Sequence, residues 1–90
     1  MIFVRSDRFK RAFQSLPKEV QKKAVRALRL MDENLSYPSL VLKKIHGYPD
    51  IWEARIDIKY RLTFQVEQKD GETLCILRNI DNHDECLKNP

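Results

Sequence analysis

Apolar residues recur at helical spacing over the first third of the chain. Ser6 is a suitable helix N-cap, and apolar side chains then return every three or four positions at Phe9, Ala12, Phe13 and Leu16. Pro17 suits the first turn of a second helix, which we expect to run to about Asn34. Its apolar stripe consists of Val20, Ala24, Ala27, Leu28, Met31 and Leu35. The pattern predicts two helices that form a hairpin, each with one apolar face.

The period changes to two after the turn at residues 46–50. In residues 51–57 and again in residues 60–67, apolar side chains alternate with polar ones, which is typical of strands with one buried face. Asp70-Gly71 predicts a hairpin turn, and residues 73–80 are apolar enough for a central strand. Residues 2–5 form a fourth predicted strand, residues 40–45 are expected to be extended or irregular, and the polar tail could hold one short helical turn.

Two helices followed by an antiparallel meander predict an α+β fold. We expect a single domain over residues 1–90, with the two N-terminal helices packed on one face of a mainly antiparallel four-stranded sheet. The opposite face would present Glu53, Arg55, Arg61, Thr63 and Gln65. Because this face carries two arginines, we expect it to be either solvated or a functional site.

Composition excludes several classes of protein. Apolar residues make up 42% and charged residues 33%, which is ordinary for a globular domain. No apolar run approaches the roughly 20 residues that cross a bilayer, so we expect no membrane contact and a cytoplasmic location. In a reducing compartment Cys75 and Cys86 should be free thiols. Their spacing with His83 fits no common zinc pattern, and no cofactor motif is visible, so we predict neither metal nor cofactor.

The net charge of +4 favours an anionic partner, nucleic acid first among them, although solvated surface charge is an equal alternative from composition alone. The distribution of the charge must decide between them. Lys22 and Arg26 are expected on the side of the second helix that faces away from the core, together with Lys18 and Arg29.

Several segments, in order and at similar spacing, resemble the RelE/ParE toxin superfamily. These are residues 16–23 (LPKEVQKK), 38–40 (PSL), 43–45 (KKI) before a glycine turn, 51–55 (IWEAR), 60–64 (YRLTF) and 79–85 (NIDNHDE). The resemblance covers nearly the whole chain. It implies a compact α+β toxin that a cognate antitoxin neutralises.

The resemblance also implies alternatives for the activity. Many RelE-type members cleave messenger RNA, often in the ribosome, whereas ParE-type members inhibit DNA gyrase. The leading hypothesis is an mRNA endoribonuclease that inhibits translation. A gyrase inhibitor is the second, and a catalytically inactive module that still binds an antitoxin is the third. The tail has no aromatic residue where RelE-type members carry one, and Asp81, Asp84 and Glu85 would repel phosphate, which keeps the third hypothesis open.

Four residues are candidates for catalysis. The resemblance assigns Arg61 to the active groove, where a guanidinium could bind phosphate oxygens, with an ion pair to Glu53 as the structural alternative. Arg55 lies on the same predicted face and could stabilise charge or be solvated. His83 could act as acid or base, because an imidazole changes charge near neutral pH. Glu53 could act as a base, but beside two arginines it would stay ionised, which favours an ion pair.

The remaining basic residues are candidates for binding the RNA backbone. Lys43, Lys44, Lys22 and Arg26 could contact phosphates, which supplies affinity but no sequence preference. His46, in the turn before the strands, is expected to be solvated.

Overall fold

The computed structural model describes residues 1–90. The elements follow the order β1 (Ile2–Arg5), α1 (Asp7–Gln14), α2 (Lys18–Glu33), a 3-10 helix (Pro38–Leu40), β2 (Lys43–Ile45), β3 (Tyr48–Arg55), β4 (Tyr60–Lys69), β5 (Glu72–Asn82) and α3 (His83–Lys88). The predicted α+β class, with a helical hairpin before a meander, is therefore confirmed. No helix has the length and apolar character needed to cross a membrane.

The sheet has five strands, in the order β1-β5-β4-β3-β2, where four were predicted. β1 runs parallel to β5 and every other pair is antiparallel. The additional strand is β2, in the segment that was expected to be extended or irregular. Lys43 and Lys44 pair with Glu53 and Trp52 of β3. A strand of three residues is too short to show an alternating pattern, so only its partner reveals it.

The two long helices pack on one face of the sheet, as predicted. Ser6 caps α1, since the Phe9 main-chain N–H donates to the Ser6 hydroxyl at 3.1 Å. α2 follows Pro17 and ends at Glu33, one residue before the predicted end. The core between the layers is formed by Phe9, Leu16, Val20, Ala24, Ala27, Met31, Leu40, Ala54, Leu62, Phe64, Cys75, Leu77 and Ile80. Burial of these side chains holds the layers together.

A β-bulge changes the alternation of β5. Thr63 pairs with Asn79 and Phe64 pairs with Leu77, which leaves Arg78 as an extra residue between them. Two consecutive side chains, those of Arg78 and Asn79, consequently lie on the face opposite the helices. We call this face, with the residues of β3, β4 and β5 that it presents, the polar face.

The predicted helical turn in the tail is α3, and it lies across part of the polar face. Asn82 caps it by accepting a hydrogen bond from the Glu85 main-chain N–H at 3.0 Å. Cys86 is completely buried beneath it, and its thiol donates to the carbonyl oxygen of Arg61 at 3.5 Å. The portion of the polar face along β4 and β5 is therefore covered. On β3, Glu53 is also buried, at 5% exposed, whereas Arg55 is partly exposed.

A compact turn joins β3 to β4. The Asp57 carboxylate accepts the main-chain N–H groups of Lys59 and Tyr60, both at 2.8 Å, and lies 3.2 Å from the Lys23 ammonium of α2. Partial burial opposes ionisation of this carboxyl group, but the hydrogen bonds and the lysine outweigh it and lower the pKa of Asp57. One carboxylate thus ties the turn to the helical layer.

We expect Asp57→Asn to lower the free energy of unfolding by about 1 kcal/mol at pH 7, because the amide keeps an acceptor but loses the charge. A lowered folded-state pKa stabilises the protein above the ordinary value of 3.8. That contribution is lost as the pH falls through the folded-state pKa. Urea titrations of both proteins between pH 2 and pH 7 should therefore converge at low pH. Asp70→Asn, in the exposed Asp-Gly turn, is the control and should change little. Curves for Asp57→Asn that stay parallel to the wild type at every pH would contradict the assignment.

Candidate active site

Three of the four predicted catalytic residues come together on the polar face. Glu53 and Arg55 lie on β3, and Arg61 lies on β4 directly opposite Arg55. Cross-strand partners share a face of the sheet, and their Cβ atoms are about 5 Å apart. These side chains occupy the end of the β3–β4 hairpin that carries the turn at Asp57.

The Arg61 guanidinium is held by several protein groups. Its Nη1 donates to the main-chain oxygens of Asp57 at 2.6 Å, Tyr60 at 3.0 Å and Ile58 at 3.3 Å. Its Nε lies 3.7 Å from a Glu53 carboxylate oxygen, and both side chains are mostly buried, at 15% and 7% exposed. The ion pair that was the structural alternative is present. Arg61 therefore braces the turn, and only Nη2 is left to meet a ligand.

The Arg55 side chain makes fewer interactions with the protein than the Arg61 side chain does. It makes no ion pair and no side-chain hydrogen bond, although it is only partly exposed. Its direct neighbour across the strands is a second arginine, Arg61. Like charges placed opposite one another on a sheet are destabilising. The Glu53 carboxylate pairs with Arg61 and not with Arg55. The two arginines and one carboxylate therefore leave an excess of positive charge that an anion could neutralise.

His83 lies at the same end of the sheet. It is the first residue of α3, and its main-chain N–H donates to the Lys59 oxygen in the β3–β4 turn at 2.6 Å. Arg61 binds the neighbouring oxygens of that turn, so the turn positions both residues. The imidazole is 45% exposed, and its Nδ1 lies 3.4 Å from Asp84. The ring is therefore accessible from solvent.

The four predicted RNA-binding residues do not form one surface. Lys43 pairs with Glu53 and extends the polar face toward the sheet edge. Lys44 points to the opposite side, where its ammonium lies 5.3 Å from the Trp52 ring centre. Lys22 and Arg26 lie on the helical layer, in a concave surface of about 500 Å³ that is lined by Phe13, Lys18, Gln21, Lys22, Val25, Arg26 and Arg29. Only Lys43 is close to the candidate catalytic residues.

A second group of polar residues lies on the same face. Thr63 and Gln65 were predicted there, whereas Arg78 and Asn79 were not. Thr63 is completely buried, Asn79 is 6% exposed, and Arg78 donates to the Gln65 side-chain oxygen at 2.7 Å. One signal was available, because Arg78 is a charged residue inside an otherwise apolar strand. The bulge places Arg78 and Asn79 on one face. The pattern of apolar and polar residues in this strand does not indicate its position.

Both cysteines are buried free thiols. Burial raises the pKa of Cys86 to about 11 and the pKa of Cys75 to about 12. Neither therefore acts as a nucleophile near neutral pH. No three His, Cys, Asp or Glu side chains lie close enough to hold a metal ion.

The comparisons with known proteins identify the fold. Neither a protein-family model nor a curated protein sequence matches the chain. The YoeB/ParE toxin from Agrobacterium tumefaciens superposes with a TM-score of 0.76 over 92% of this chain and 99% of its own, at 15% identity. YafQ from E. coli strain BL21(DE3) gives 0.75 over 92% and 93%, at 11% identity. The RelBE2 toxin-antitoxin complex from Mycobacterium tuberculosis gives 0.66 over 91% and 96%, at 20% identity. The chain has the RelE/ParE toxin fold, which confirms the resemblance at the level of the fold.

Buried thiols react only when the structure over them opens. We expect both cysteines to react with a disulfide reagent at pH 8 much more slowly than a free thiol. Cys86 should react faster than Cys75, since releasing α3 exposes Cys86, whereas Cys75 lies in the central sheet. The variants Cys75→Ala and Cys86→Ala assign the two phases. If Cys86 reacts at the rate of a thiol in urea-unfolded protein, α3 does not pack as described.

Proposed function

We propose that this chain is the toxin of a toxin-antitoxin pair and that it cleaves messenger RNA without a metal ion. The observation that carries the proposal is the pair of arginines, Arg55 opposite Arg61, with the half-exposed imidazole of His83 at the same end of the sheet. A surface with uncompensated positive charge and an acid-base group is suited to phosphodiester chemistry.

The reaction uses the RNA's own 2′-hydroxyl as nucleophile. Its oxygen forms a bond to the adjacent phosphorus while the bond to the 5′-oxygen breaks, which leaves a 2′,3′-cyclic phosphate and a 5′-hydroxyl. The 2′ proton leaves to a base, and the 5′-oxygen receives a proton from an acid. Negative charge builds on the non-bridging oxygens during this step, and nearby cations stabilise it.

Each group has a role that follows from its surroundings. Arg55 neutralises the phosphate, because it has no protein partner. Arg61 contributes its remaining nitrogen, and Glu53 is a positioning residue that fixes the Arg61 side chain. His83 is the proton donor or acceptor, since its imidazole is 45% exposed and its main chain is fixed to the β3–β4 turn at this end of the sheet. Lys43 extends the basic track along the RNA backbone.

The proposed partners follow from the same surfaces and from the related structures. The RelBE2 neighbour was solved as a toxin-antitoxin complex. A cognate antitoxin is accordingly the proposed protein partner of this chain. Messenger RNA is the proposed substrate, with the ribosome as a further partner if cleavage occurs during translation. The basic concave surface that contains Lys22 and Arg26 is remote from the site, so it serves binding rather than catalysis.

We expect Arg55→Gln and His83→Ala each to lower cleavage by roughly 100-fold, which is a typical loss when a charge-stabilising or proton-transfer group is removed. The wild type and each variant are induced in bacteria, and new 5′ ends of messenger RNAs are mapped over the first minutes. Lys69→Gln, an exposed basic residue at the far end of β4, is the matched control and should cleave like the wild type.

Thermal melting of the purified proteins must show that the variants are folded. Arg61→Ala is less informative, because Arg61 also braces the β3–β4 turn. Cleavage at the wild-type rate by both Arg55→Gln and His83→Ala would refute this site. Growth arrest with intact messenger RNA would refute the ribonuclease proposal and favour a gyrase inhibitor.

A further inference from the structure

Side-chain donors from three elements converge on the last two residues of the chain. We propose that Arg8, Thr63, Arg78 and Asn79, called here the donor cluster, form a binding site for a phosphate group. The tail, Asn89–Pro90, occupies this site in the structure and acts as a displaceable cover. The proposal is independent of RNA cleavage, since it concerns binding only.

The donor cluster meets the tail through four hydrogen bonds. Thr63 Oγ1 and Arg78 Nε donate to the main-chain oxygen of Pro90 at 2.9 and 3.1 Å. Asn79 Nδ2 donates to the Asn89 oxygen at 2.9 Å, and Arg8 donates to the same oxygen. Two acceptor oxygens on consecutive residues, each with two donors, therefore receive all four side-chain hydrogen bonds.

Contacts other than those with the tail hold Arg78 and Asn79, whose side-chain oxygen accepts the Ile80 main-chain N–H at 2.9 Å. Thr63 is completely buried, and Asn79 is 6% exposed. Arg78 also donates to the Gln65 side-chain oxygen at 2.7 Å, which holds the guanidinium plane. The bulge in β5 places Arg78 and Asn79 side by side on the polar face. Such a preorganised set of donors loses little conformational freedom when it binds a ligand.

The charge of the donor cluster favours an anion. Neither Arg8 nor Arg78 forms an ion pair with a side-chain carboxylate. The Asn89 oxygen that meets Arg8 and Asn79 is a neutral amide oxygen, whereas hydrogen bonds between a guanidinium and phosphate are charge-assisted and about twice as strong as neutral ones. An open cavity of about 170 Å³ adjoins the two arginines and is lined by Ser6, Arg8, Ile76 and Arg78. The rest of a phosphate-bearing ligand has room there.

The tail is held by the four hydrogen bonds to its main chain and by burial of Pro90, so a ligand must compete with these contacts. It follows the six-residue α3, and no side-chain group of Asn89 takes part in the four hydrogen bonds. A ligand shifts such an equilibrium only by its preference for the open form. A phosphate group has that preference, since the donor cluster is free to receive it only when the tail has left.

The first test is an NMR titration of the isotope-labelled full chain at low ionic strength. Two probes are used separately: inorganic phosphate, and the diribonucleotide ApA, whose single phosphate is an internal diester. We expect the Arg78 Nε–H, the Asn79 side-chain amide and the Asn89 main-chain amide to shift together with one dissociation constant. Tighter binding of ApA would assign the site to an RNA backbone, and tighter binding of inorganic phosphate would assign it to a free or terminal phosphate.

Variants separate a specific site from general attraction to a basic protein. Arg78→Gln should weaken binding of the better probe at least ten-fold, whereas Arg78→Lys should retain part of the affinity. Arg11→Gln removes an equal charge from the exposed side of α1 and should bind like the wild type. A double variant, Asn89→Gly with Pro90→Gly, keeps the length of the tail but removes the buried proline ring, and should bind several-fold more tightly.

Three results would overturn the proposal: shifts that avoid the donor cluster, equal affinity in Arg78→Gln and Arg11→Gln, or unchanged affinity in the glycine double variant. Thermal melting shows whether each variant is folded, and the wild-type titration needs no variant. Phosphate binding here without messenger RNA cleavage would refute only the enzyme. Cleavage without shifts at Arg78 would refute only the donor cluster as a phosphate site.

Discussion

The structure depends on β5 burying apolar side chains that a regular strand would place on opposite faces. Leu77 and Ile80 are both completely buried in the core, yet they are three residues apart. In an uninterrupted strand an odd separation puts two side chains on opposite faces. The bulge at Arg78 resolves this conflict by adding one residue to β5 against β4. The helical layer can then pack on a continuous apolar surface.

The same bulge shapes the polar face, because two polar side chains in succession are turned away from the core. Thr63 of β4 lies opposite Asn79, so buried polar groups collect beside arginines that come from separate strands. A face with so many polar and charged side chains cannot form a second hydrophobic core. α3 covers one half with Cys86, and the other half keeps Arg55 and Arg61 adjacent. Packing constraints on one face thereby determine the chemistry available on the other.

The features that can be predicted from the sequence are those set by a regular spacing of apolar residues or by a local turn motif. The helical stripe of α2, the alternation in β3 and β4, and the Asp-Gly turn with positive φ at Asp70 and Gly71 all follow from local rules. β2 was missed because three residues carry no period and its pairing partner is distant. The bulge was missed because it is a response to tertiary packing. Glu53, Arg55 and Arg61 lie together as predicted, because the alternation of the two strands was assigned correctly. The hydrogen bonds from Arg61 to the β3–β4 turn could not be predicted from that alternation.

The structural role of Arg61 coincides with the role in anion binding that is proposed for it. A charge that braces a turn is held rigid, and a rigid guanidinium is also the one that binds an anion with the least loss of freedom. Its neighbour Arg55 destabilises the unbound protein, by roughly 0.2–1 kcal/mol for like charges on facing strands. A ligand that binds only the folded chain adds to its stability in proportion to the logarithm of its concentration over Kd. An anionic substrate or an acidic partner would therefore relieve the repulsion and stabilise the fold in the same step, so the folded state is most stable when the polar face is occupied.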